Sequence, residues 1–187
     1  GQFDESRIFG NITTTGTQTY RGNVFLLGGP GSTNTLTGTS INTQGEIRGI
    51  IGTRSLSIVG AADIDGAVTG IQDLTINGAA DIGASVTSAG SQLYQNAVTI
   101  SANATLTSNT SVTFQNSVAA GANNLSLKSD EIDLTGGANS VSGMGMLTLA
   151  PFTESESVGI NGGAGTLDLS TADLDALMDG FSLIQLG

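Results

Sequence analysis

Sixteen carboxylates, five cations and no histidine or cysteine are the chemical resources of this chain. The 18-residue match of SLSIVGAADIDGAV (55–68) with DLTINGAADIGASV (73–86) puts Asp63 and Asp81 at equivalent positions, with Asp65 close by. Hard oxygen ligands suit calcium. The blander reading is two solvated corner carboxylates stacked about 4.8 Å apart and repelling one another. Neither an EF-hand loop nor a Gly-Gly-x-Gly-x-Asp repeat is present. The sequence therefore assigns no catalytic, cofactor-binding or metal residue, and Asp63, Asp65 and Asp81 stand as its calcium candidate. Asp168, Asp173, Asp175 and Asp179 surround a predicted short helix, where helix-start preference and solvation account for three of them. A glycosidase needs two carboxylates at a set separation, and sixteen acids always supply some pair. Against that, the cations are only Arg7, Arg21, Arg48, Arg54 and Lys128, and no Trp and two Tyr leave little for stacking on sugar rings. The chain is read as not an enzyme. Lys128-Ser-Asp130-Glu131 reads as an exposed turn with a weak ion pair.

The rest of the composition narrows the partners. A formal charge of −11 over 187 residues leaves no basic patch to neutralise phosphates or anionic lipid, so neither nucleic acid nor a membrane surface is expected. No run of 18 apolar residues occurs, so no inserted helix is expected. The start, GQFDESRIFG, is neither a signal peptide nor an initiator methionine, and residues 1–187 are read as one segment excised from a longer protein. Asn-x-Ser/Thr at Asn11, Asn103, Asn109 and Asn124 is expected by chance in so Asn- and Thr-rich a chain.

The elements that position these groups come from repetition. After the 18-residue match the spacing becomes 20: Tyr94-Gln-Asn-Ala-Val98 returns as Phe114-Gln-Asn-Ser-Val118. Val112, Ile132 and Phe152 form one series, and Leu127, Leu147 and Leu167 another. Within each repeat apolar residues alternate with polar ones, as in Leu56-Ser-Ile58, Val98-Thr-Ile100 and Leu147-Thr-Leu149, which is the period of a strand with one buried face. Gly, Asn and Ser clusters supply corners. Together they predict an all-β, right-handed parallel β-helix (β-solenoid) with coils of about 18–22 residues, in which like side chains stack into ladders. Eight or nine coils are expected, with Ala61-Ala62 under Ala79-Ala80 as a narrow part of the interior. A β-sandwich would alternate too, but without fixed-register ladders. Ser170–Gly180 reads as one short helix near the carboxyl terminus, with Ser170 as N-cap, Asp173 as capping-box partner and Leu174, Leu177 and Met178 on one face. Leu27–Asn34 reads as a turn or a short loop leaving the coil.

A longer match carries a resemblance. Gly16-Thr-Gln18-Thr-Tyr20 with Val24 and Leu26 recurs as Gly90-Ser-Gln92-Leu-Tyr94 with Val98 and Ile100. Tyr20, Tyr94 and Phe114 share one slot of the pattern, best suited to packing between turn and coil. The Gly-x-Gln-x-Tyr-x-x-x-Val unit, and the order of Val141–Phe152, Leu167-Asp-Leu-Ser and Phe181–Gly187, resemble the repeats of very large bacterial exoproteins similar to filamentous haemagglutinin. Residues 28–52 are least typical. The resemblance implies a noncatalytic stiff stalk of a secreted or surface-attached adhesin, outside the bacterial cell and associated with the outer membrane. It offers no catalytic residues to carry over. Expected partners are adjacent repeats of the parent chain, an end-to-end copy, and an unidentified surface or glycan. The alternative is a carbohydrate- or surface-binding module. An ice-binding module comes after it, because outward positions such as Ser57, Thr75, Thr99, Ser126 and Asp133 vary too much for a regular threonine face, and so does a polysaccharide-cleaving one, for want of cations, histidine and aromatic residues.

Overall fold

Alternation buries every second side chain of most of the short strands, and the chain closes that face by coiling on itself. The computed structural model describes residues 5–50 and 54–187; the first four residues of the amino-terminal stretch and residues 51–53 lie outside the described residues. All strand pairs are parallel, and the coils stack into a β-solenoid of about seven turns. Face 1 is a nine-stranded sheet running from Glu5–Ile8 to Leu183–Leu186. Faces 2 and 3 form one twelve-stranded sheet, because the long strands Thr33–Thr43 and Ser55–Ile64 pass through both. Gly60 turns that corner at φ +127°, where a Cβ would lie 2.0 Å from the Gly38 carbonyl oxygen.

The interior consists of ladders. On face 1, Val24, Ile47, Val68, Val86, Leu106, Leu127, Leu149 and Leu186 lie over one another. Face 2 carries Leu36, Ile58, Ile76, Tyr94, Phe114 and Leu134. Face 3 carries Ile41, Ala62, Ala80, Val98, Val118 and Val141. Fully burying a Val, Leu, Ile or Phe of these ladders contributes roughly 1.5–3 kcal/mol.

Four sequence readings need correction. Leu127, Leu147 and Leu167 do not share a ladder. Register partners are 18 residues apart at Val68/Val86, 20 at Val86/Leu106, 21 at Leu106/Leu127 and 22 at Leu127/Leu149, so Leu147 stands over Leu125. Leu167 pairs with Val158 in a separate two-stranded sheet, and Phe152 lies outside the Val112–Ile132 ladder, on a partly exposed bend. Only Ala62 and Ala80 face inward; Ala61 and Ala79 point out, as alternation demands. The turns number about seven rather than eight or nine, because the chain leaves the coil between Leu149 and Leu186.

That excursion holds the one helix among the described residues, Thr171–Ala176, capped by Ser170 and Asp173 as the sequence predicts. Its inner face is Asp173 and Ala176, with Leu174 and Leu177 partly buried; Met178 is exposed. The Asp173 carboxylate accepts from the Leu134 backbone N–H at 2.8 Å, closing the last strand of face 2. Leu177 bridges Val141, and the Met178 N–H donates to the Val141 carbonyl at 2.9 Å, closing face 3.

Candidate functional site

The acidic candidates separate once placed on the coils. Asp63 and Asp81 are outward register partners on face 3, between Asn42 and Thr99. Asp65 sits in the exposed turn that follows. Burial, reinforced by Asp65 and Asp81, raises the Asp63 carboxyl above its ordinary value. The Asp81 Oδ1 is buried without a hydrogen-bond partner. Among the described residues, no group of three or more His, Cys, Asp or Glu side chains is arranged to hold a metal ion. Of the aspartates around the helix, Asp173 alone turns inward. Burial, and then the charges of Asp133, Asp173 and Asp168, raise the Glu131 carboxyl above its ordinary value. Lys128 pairs with Glu154 at 3.5 Å rather than within its own turn, while Asp130 accepts from the Phe152 N–H at 3.2 Å.

What the sequence did not reveal is a set of buried polar corners. Gln92 is fully buried, and its amide donates to the carbonyls of Val86 (3.3 Å) and Thr107 (2.7 Å), while its Oε1 accepts from the Tyr94 hydroxyl at 3.0 Å. Ser88 completes the corner by donating to the Gly90 carbonyl at 3.0 Å. Gln18 repeats this arrangement with Ile12 (3.3 Å), Thr37 (2.7 Å) and Tyr20 (2.8 Å), and Thr14 donates to Gly16 at 3.0 Å. The Gly-x-Gln-x-Tyr pattern is thus a device for closing a corner: one side-chain amide ties its own coil to the next. The signal was available as Thr14/Ser88, four residues before each glutamine.

The two corners differ in place. Gln92 lies between faces 1 and 2, Gln18 between faces 2 and 3. Accordingly Tyr94 stacks on Phe114, with ring centroids 4.9 Å apart at 17°, whereas Tyr20 lies half-buried on face 3, so the shared slot of the sequence pattern is not one ladder. The Gly28–Ser32 turn is another polar corner. Arg54, fully buried, donates to the Gly28 carbonyl and to Ser32 Oγ (3.1 Å), so the turn stays on the coil.

Two exterior features remain. A groove of about 330 Å³ follows the corner of faces 1 and 2, past Gly70, Gln72, Ala89 and Asn109, to the ring of Phe152. Outward threonines do not form a regular double row: the Thr105-x-Thr107 pair faces Ser126-x-Lys128 on the next coil. Comparisons with protein-family models, with curated proteins and with solved structures found no match to this chain.

Proposed function

We propose that the chain is a noncatalytic, stiff structural module of a large bacterial adhesin, carried outside the cell. The observation that supports this reading is the set of apolar ladders that runs from coil to coil, closed at the corners by Gln18 and Gln92. Such a core spends its specific side chains on stacking coil upon coil. The scarcity of cations and the absence of histidine support a noncatalytic role, and the Gly-x-Gln-x-Tyr resemblance supports the adhesin. Adjacent repeats or a second copy would add to the edge strands Glu5–Ile8 and Leu183–Leu186, where Ile184 and Leu186 remain about 40% exposed at the ends of ladders buried below them.

Antibody raised against the purified chain tests the reading on intact source cells. Surface labelling that is lost on external protease treatment is expected. Label that appears only after lysis, or release of reducing ends from polysaccharides by the purified chain, would overturn it. The second reading, a carbohydrate- or surface-binding module, draws support from the groove that ends at Phe152.

A further inference from the structure

Outward positions of face 1 are mostly threonine and serine in its middle coils: Thr87, Thr105, Thr107, Ser126 and Thr148. The first three strands depart from this. Arg7, Phe25 and Arg48 are outward register partners on adjacent strands, so they stand in single file along the rod axis. Phe9 and Ile50 flank the file, 74% and 48% exposed. Two of the chain's five cations and two of its six phenylalanines thus lie on or just beyond three strands, Phe25 half-buried and the others exposed. Folding does not call for them, since serine and threonine serve at the same positions above. The next outward partner is Thr69; above it the register shifts between Val86 and Ser88, and Thr87, Thr107 and Lys128 follow beyond the shift. The acids nearest the file are engaged: Glu5 pairs with Arg7 at 2.8 Å, and the half-buried Glu46, just before the third strand, accepts from Thr69 at 2.7 Å. Arg48 is exposed and forms no ion pair among the described residues.

We infer that this file binds a linear acidic polysaccharide, carboxylated or sulfated, lying along the solenoid axis. Arg7 and Arg48 stand about 10 Å apart, two strand spacings, with a phenyl face between them. That spacing suits one guanidinium fork on each of two anionic groups, the exposed Arg7 exchanging its Glu5 carboxylate for one of the ligand's, and a sugar ring over Phe25. The threonine hydroxyls beyond continue the track with hydrogen-bonding groups. A strip one side chain wide fits an extended chain rather than a broad protein surface. Two charges about 10 Å apart reach the acidic groups of every second sugar along an extended glycan, and one half-buried phenyl ring gives no continuous stacking platform for a run of bases. This goes beyond the spacer reading and does not rest on it, since the file stands on the isolated chain wherever that chain resides.

Calorimetric titration of the purified chain with alginate oligosaccharides, dextran sulfate and neutral dextran tests the inference, with the alginate and sulfate arms separating carboxylate from sulfate recognition. Binding to at least one acidic polymer, weakening with added salt, and none to neutral dextran is the expected result. Arg48→Ala and Phe25→Ala should each weaken binding by about tenfold or more. Arg48→Lys should recover only part of it, and Asp81→Asn should leave it unchanged. These side chains point outward, so the variants should melt as the parent does. Binding of neutral dextran as tightly as of acidic polymers would overturn the proposal, as would variants that bind like the parent. Tighter binding of a single-stranded oligonucleotide would reassign the file to nucleic acid. No polysaccharide binding, together with an Arg48-dependent dimer in sedimentation, would reassign it to a second copy.

Discussion

Gln18 and Gln92 make the same bonds in two different settings. Each amide ties a carbonyl six residues back to one on the next coil, and each accepts from the tyrosine two residues on. Yet Gln92 and Tyr94 are sealed between coils, while Gln18 keeps 7% of its surface exposed and Tyr20 is half-buried. The sequence motif specifies a bonding pattern, not a position on the coil or a degree of burial. Water can replace part of what is lost at the outer corner and nothing at the inner one.

The comparison is sharpest by truncation. Gln92→Ala leaves a buried hydroxyl and two carbonyls short of partners and should cost about 3 kcal/mol, against about 1 kcal/mol for Gln18→Ala, read by urea or thermal unfolding. Equal losses would show that burial does not separate the two corners. Alkaline titration gives a smaller contrast. Burial pushes the Tyr94 hydroxyl far above the ordinary value of 10.0 and also raises that of Tyr20, which is only half-buried. A phenol held protonated in the folded state makes stability fall as pH rises past 10.0. Near-ultraviolet absorbance should therefore show Tyr20 ionising in the folded chain and Tyr94 only on unfolding. Tyr94→Phe should cost about 1 kcal/mol at neutral pH and flatten the alkaline decline. The smallest effect is expected outside the corners. Asp63, raised by burial and then by Asp65 and Asp81, favours its protonated form in the folded state. Its charge thus lowers stability at neutral pH, and that cost fades as pH falls toward 3.8. Asp63→Asn should raise the melting temperature slightly at neutral pH, with the gain disappearing in acid.

The fold was legible because alternation has a local cause: one face of each strand must be dry. The ladders were legible only where coil length stays constant. Leu56 over Leu74 and Tyr94 under Phe114 follow from spacing alone. Leu127 over Leu149 does not, since corner residues added between strands shift the register without disturbing the alternation. The helix cap at Ser170 and Asp173 was legible as a three-residue pattern, but the second bond of Asp173, to Leu134 39 residues away, is a property of the stack. Arg54 reads as one scarce surface cation until the coil closes over it. At the candidate sites, Asp63 and Asp81 were brought together by the repeat itself, whereas the file of Arg7, Phe25 and Arg48 spans coils of unequal length and emerges only in register.

The lopsided closure near the helix has a mechanical consequence. Faces 2 and 3 are lidded by the excursion, whereas face 1 carries on to Leu183–Leu186, joined to the coil below along four register positions. Hydrogen bonds between coils point along the rod, so tension applied through this strand pulls them open in series instead of sliding them past one another. Under load the rod should part here from one side, like a seam, with the lidded faces giving way last.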